Sequence, residues 1–91
     1  MVTKHSIHFA MKIYSYQEFL EYLSTGREIH FYYKNEQYYM GCGTGQFMFW
    51  KFYDAESEII GEDVNDLLQK VRFDGNLVKD IWELIEIEAI F

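Results

Sequence analysis

The stretch from Glu28 to Tyr53, EIHFYYKNEQYYMGCGTGQFMFWKFY, constrains the fold more than any other part of the chain. It holds ten of the eighteen aromatic residues. KNEQ and GCGTG divide it into three short runs rich in Phe, Tyr, Trp, Ile and Met, the pattern of a three-stranded antiparallel meander. Strand one is read over Arg27 to Lys34, strand two over Gln37 to about Cys42, and strand three over Gln46 to Tyr53. Alternation puts Ile29, Phe31 and Tyr33 on one side of strand one, and Glu28, His30 and Tyr32 on the other. Strand three carries large residues on both faces, Phe47, Phe49, Lys51 and Tyr53 against Met48, Trp50 and Phe52. One face of the sheet must pack on helices. The other is either covered as well or left as an exposed aromatic patch.

The flanking segments read as cover for this sheet. Ser15-Tyr16-Gln17-Glu18 matches a capping box, with Tyr14 and Phe19 placed for a hydrophobic staple. Phe19, Leu20, Leu23 and Tyr16 make an apolar stripe, and Gly26 suits the left-handed residue that ends a helix running from about Tyr16 to about Thr25. Asp54 to Glu62 is polar and acidic and reads as a loop. Asp63 caps a second helix, whose stripe of Val64, Leu67, Leu68 and Val71 has offsets 0, 3, 4 and 7. Asp74-Gly75-Asn76 is a turn, with Asn76 able to cap a short third helix through Trp82. Glu83 to Phe91 alternates, Ile85, Ile87, Ala89 and Phe91 against Leu84, Glu86, Glu88 and Ile90. It is expected to add a terminal strand, with Glu86 and Glu88 toward solvent. Residues 5–13 also alternate with period two, either an extra strand or a leader, and Met11 is an alternative start. The expected fold is α+β: one domain over residues 1–91, an antiparallel sheet of three to five strands, with two main helices packed on one face.

Charge narrows the function classes. Net charge is −7, and it is uneven. Residues 1–53 carry four acids against five bases, whereas residues 54–91 carry eleven acids against three bases. An acidic half repels phosphates and argues against direct nucleic-acid binding, while favouring a basic partner. No apolar run approaches the roughly 18–20 residues that span a bilayer, so no membrane role is expected. The one cysteine, Cys42, cannot form an internal disulfide, which makes a cytoplasmic setting the default.

No motif points to a reaction. Gly41-Cys42-Gly43-Thr44-Gly45 lacks the Lys-Ser/Thr ending of a phosphate loop and no helix follows it, so it reads as a hairpin loop. Cys42 with His30 on the neighbouring strand is the nearest thing to a nucleophile and base. His5 and His8 fall on opposite faces of a strand and do not build a metal site. Asp54/Glu56/Glu58 and Glu62/Asp63/Asp66 lack the calcium-loop pattern. They read as a solvated acidic face or as a docking surface for a basic protein. No catalytic, cofactor or metal residues are therefore expected. The candidate partner-binding residues are Glu28, His30, Tyr32, Tyr39 and Trp50 on the sheet, with the acids Glu56, Glu58, Glu62, Asp66, Glu86 and Glu88. Tyr and Trp are enriched at interfaces. The sheet residues lead if the second face is open, the acidic C-terminal region if it is covered.

Tyr16, Phe19-Leu20, Tyr22-Leu23, Gly26-Arg27-Glu28-Ile29, Phe31, Tyr33, Tyr38-Tyr39, Phe49-Trp50, Leu67-Leu68, Asp74-Gly75-Asn76-Leu77 and Trp82 together form a recognisable pattern. It resembles a group of small, mostly uncharacterised bacterial proteins common in Gram-positive bacteria and their mobile elements. Some of these look like immunity proteins of polymorphic or contact-dependent toxin systems. The resemblance covers about Tyr14 to Phe91. It implies a small α+β fold that binds another protein, and it transfers no catalytic residue. The leading expectation is a non-enzymatic acidic module that binds and neutralises a cognate toxin with a basic surface, a nuclease among them. The alternatives are a phage-type inhibitor of a host nuclease and a structural or regulatory subunit that self-associates, as a homodimer for example.

Overall fold

The computed structural model describes residues 13–91. The strand or leader read over residues 5–13 lies outside them, except for Ile13. The first helix, α1 (Tyr16–Ser24), starts as its sequence dictates. The Ser15 hydroxyl accepts from the Glu18 amide at 3.0 Å, and the Glu18 carboxylate accepts from the Ser15 amide at 2.9 Å. It ends in a Schellman motif. Gly26, at φ +87°, donates to Leu23 O, and Arg27 donates to Tyr22 O. Tyr14, just before the cap, meets Tyr22 edge-on at 5.8 Å.

Four strands follow in sequence: β1 (Ile29–Tyr33), β2 (Glu36–Cys42), β3 (Phe47–Lys51) and β4 (Asp54–Gly61). Lys34 and Asn35 both take positive φ, the backbone of a tight two-residue hairpin that preserves strand twist. The expected loop over Asp54–Glu62 is instead β4, an edge strand pairing antiparallel with β3. Its polarity belongs to an edge position: Phe49↔Ile59 keeps one residue in register with the core while Asp54, Glu56 and Glu58 stay in solvent. Charged edges blunt further pairing, so an edge strand need not look apolar.

Helix α2 (Val64–Lys70) is capped by Asp63, whose carboxylate accepts from the Asp66 amide at 2.7 Å. Phe73 and Asn76 exchange backbone hydrogen bonds around Asp74-Gly75, both at positive φ. Asn76 is thus a turn residue and not the expected helix cap. The third helix is a 3₁₀ segment, η1 (Val78–Leu84), kinked at Ile81 and without a side-chain cap at its start. β5 (Glu86–Ile90) closes the sheet by pairing antiparallel with β1, giving the order β4-β3-β2-β1-β5. The chain between the two edge strands crosses the sheet as α2 and η1.

α1, α2 and η1 all pack on the same face. Phe19 and Leu23 of α1, Leu67 and Leu68 of α2, and Val78 and Ile81 of η1 share one buried cluster with Ile29, Phe31, Tyr33, Met40 and Phe49. Fully burying one such side chain stabilises the fold by roughly 1.5–3 kcal/mol. Gly61 lets α2 sit this close: a Cβ there would lie 2.5 Å from the Leu67 backbone nitrogen. In β5 a bulge changes the expected alternation. His30 pairs with Ala89 and Phe31 with Ile87, so Glu88 is the extra residue. Ile87 and Ile90 both reach the core as a result, while Phe91 leaves the inward set and is 63% exposed.

Candidate functional site

The opposite face of the sheet carries no helix among the described residues. The register puts His30 beside both Ala89 and Tyr39, and Tyr39 beside Trp50, in one row across four strands. Tyr39 and Trp50 stack at 3.9 Å between centroids, with ring planes 11° apart. The Tyr39 ring lies along its own strand over Gly41, where a Cβ would stand 2.7 Å from the phenol oxygen. Glycine at 41 makes room for a ring lying flat on the sheet. Tyr39 is only 8% exposed, although no helix among the described residues packs on it. His30 is ringed by Phe91 at 4.9 Å, Phe52 at 5.1 Å and Tyr39 at 5.7 Å. Phe52 extends this face beyond β3, its amide donating to Gln37 O at 3.0 Å.

Carboxylates border the aromatic row. Glu28 Oε2 lies 2.8 Å from His30 Nε2. Along β5, Glu88 accepts from Gln37 Nε2, and burial first, then the charges of Glu88 and Glu86, push the Tyr32 phenol pKa up. Burial, with Glu28 second, does the same for Tyr39. Both phenols therefore remain neutral hydrogen-bond donors at physiological pH. Along β4, Glu58 has no hydrogen-bond or ion-pair partner among the described residues. No lysine or arginine is among the strand residues that the register places on this face, since Lys51 points to the other side and pairs with Glu36 at 3.0 Å.

The structure therefore gathers Glu28, His30, Tyr32, Tyr39, Trp50, Glu58, Glu86 and Glu88 on or around one face. Glu56 is exposed on the irregular half of β4. Glu62 and Asp66 belong elsewhere, at the corner between β4 and α2. Asp66 accepts from the Glu62 amide at 2.9 Å and from Lys70 at 3.1 Å, and these bonds, the amide first, hold its carboxyl below the usual range. Their placement serves the start of α2. Cys42 pairs with Phe47 on the helix-covered side of β2, opposite His30, so the register does not unite that pair. Among the described residues no group of three or more His, Cys, Asp or Glu could hold a metal ion, and no helix is long and apolar enough to cross a membrane.

Met48, Phe52, Tyr53 and Phe91 also belong to this region. Met48 and Phe52 share the parity of Trp50, a signal present in the sequence. Phe91 depends on the β5 bulge, which alternation alone does not show. At the end of the β3–β4 hairpin, an open cavity of about 520 Å³ is lined by Trp50, Lys51, Tyr53, Asp54, Ala55 and Glu58. Comparison of the chain with protein-family models, curated proteins and solved structures finds no significant match.

Proposed function

We propose that this chain is a non-enzymatic binding module whose uncovered sheet face docks a basic protein, in the manner of an immunity-type protein neutralising a cognate toxin. The observation that carries this reading is the aromatic row His30–Tyr39–Trp50, left without a covering layer among the described residues and flanked by carboxylates on both edge strands. Preorganised aromatic rings bind with little loss of side-chain freedom, and acidic borders steer a basic partner onto them. A nucleic acid would need cations on this face to meet its phosphates, and the register supplies none. A second copy is disfavoured for the same reason: Asp54, Glu56 and Glu58 on one edge, and Glu86 and Glu88 on the other, set like charges against like.

Size adds a constraint. Five strands about 4.8 Å apart and five residues of about 3.4 Å each give a flat patch of roughly 320 Å², whereas a stable interface buries about 800 Å² on each side. The borders and the hairpin end must join the contact, so affinity should depend strongly on salt. Co-expression with the product of the adjacent gene tests the proposal. Protection, co-purification and an affinity that falls with salt are expected, with Tyr32→Ala and Trp50→Ala each weakening capture. If the chain neither protects nor co-purifies, or if both variants bind as well as the parent chain, the proposal fails.

A further inference from the structure

The cavity at the β3–β4 hairpin has the chemistry of a receptor for one planar cation. Its lining brings together two aromatic residues, Trp50 and Tyr53, and two acidic ones, Asp54 and Glu58. Trp50 is backed on the β2 side by the stacked Tyr39, which fixes the indole, and the other lining residues belong to β3, β4 and the turn between them. Asp54 spends one oxygen, Oδ1, on the Glu56 amide at 3.2 Å. Glu58 spends none on the described residues. The single basic residue in the lining, Lys51, is already neutralised by Glu36 on the far face, so the cavity keeps a net negative character.

Tyr53 supplies an independent observation. It is fully exposed, and its backbone sits at φ +65°, a region that favours glycine or asparagine. A turn chosen for stability would hold one of those residues. A bulky ring kept at a strained and fully solvated position costs stability, and such costs concentrate at sites of function. The ring stands beside the cavity and next to Phe52, 6.2 Å between centroids, so it extends the aromatic face outward at its acidic end.

The geometry points to this cavity as the docking site for an arginine side chain of the partner protein, a conclusion that rests on the open-face reading above. A guanidinium stacks on an indole or phenol face while its N–H fork reaches carboxylates in its own plane. An ammonium would find the charge but not the stacking or the fork. The site would give the partner's basic surface one fixed point of register at the edge of the aromatic row.

The experiment titrates the full chain with a blocked Arg-Gly-Arg-Gly-Arg peptide and with the same peptide carrying citrulline in place of arginine, following the two indole N–H resonances. Trp82 lies on the helix side, its indole N–H donating to Tyr14 O at 3.0 Å, and so serves as a reference for an intact fold. The arginine peptide should shift Trp50 and leave Trp82 in place, with the citrulline peptide at least tenfold weaker. Tyr53→Asn should raise the melting temperature or leave it unchanged, yet weaken the peptide tenfold or more. Glu58→Gln, isosteric and on an exposed edge, should weaken it severalfold, and Tyr53→Phe should retain it. Equal binding of both peptides, or Tyr53→Asn and Glu58→Gln variants that bind like the parent, overturns the assignment. If a partner protein is still captured by these two variants but lost with Tyr32→Ala, the arginine site falls and the open-face reading stands.

Discussion

The two faces of the sheet are built from the same kinds of residue and packed in different ways. On the covered face, Phe31, Tyr33, Tyr38, Phe49 and Phe73 pack ring against ring under three helical segments, and Phe73 alone meets the other four at 4.9–6.1 Å. On the uncovered face the rings pack sideways along the sheet, Tyr39 on Trp50 and Phe52 and Phe91 on His30. Aromatic content therefore does not distinguish core from surface in this chain. The distinction lies in what borders the rings. Aliphatic side chains of α1 and α2 complete the first set, and carboxylates border the second. Aliphatic neighbours seal the first set into the core, whereas carboxylate neighbours keep the edges of the second in contact with water.

Paired substitutions sharpen this contrast. Phe31→Ala should destabilise the fold by about 3–5 kcal/mol, because it opens a cavity in the centre of the cluster. Trp50→Ala should cost about 1 kcal/mol, the worth of a cross-strand aromatic pair. Urea denaturation measures both, and equal losses would mean that the uncovered face is structural too. The glycines offer a second pair. Gly61→Ala forces a methyl group against the backbone of α2 and should cost about 1–3 kcal/mol. Gly41→Ala meets the phenol end of Tyr39 at 2.7 Å and the Glu28 Cα only at 3.4 Å, so a shift of one ring relieves it and it should cost less than about 1 kcal/mol. Its signature is a changed near-ultraviolet circular dichroism from the Tyr39–Trp50 stack, with the melting temperature little altered.

Much of this division was legible in the sequence. The capping box at Ser15 and Glu18, the α2 stripe and the alternation of Ile29, Phe31 and Tyr33 each follow from a local rule, and each is found as expected. The departures have physical causes beyond local pattern. β4 hides because an edge strand needs only Ile59 and Gly61 turned inward, and acids elsewhere suit its free edge. The β5 bulge exchanges Ile90 for Phe91 on the core side, and only pairing with β1 imposes it. Asn76 fills a turn because Asp74-Gly75 can take two consecutive left-handed residues. For the site, parity already set His30, Tyr32 and Trp50 apart from the core residues. That α1, α2 and η1 all pack on the other side is a property of the whole topology, which no short stretch encodes.

The adjacent residues Tyr32 and Tyr33 carry the comparison to its smallest expected effect. They point to opposite faces, and each phenol meets a carboxylate. Tyr33 donates to Asp74 Oδ2 at 2.8 Å, and Lys34 donates to the same oxygen at 2.9 Å. Those two bonds, Lys34 first, hold the Asp74 carboxyl below its ordinary range, and the bond to Asp74 pushes the Tyr33 phenol up. A carboxyl whose pKa is lower folded than unfolded binds its proton more readily in the unfolded chain. Its contribution is therefore fully present above the unfolded value of about 4 and disappears as the pH falls through the folded value. Asp74→Asn should accordingly be less stable than the parent chain at pH 7, and the gap should be constant down to about pH 5 and narrow below about pH 4. Tyr33→Phe should reproduce part of that pattern, because Lys34 remains. Tyr32→Phe should leave the acid limb of the stability curve as in the parent and act on partner capture instead. Urea midpoints measured from pH 2 to 7 decide the matter. Parallel curves for parent and Asp74→Asn would remove Asp74 as an anchor of the covered side. An acid-dependent loss in Tyr32→Phe would mean that the uncovered face, too, is held together by its carboxylates.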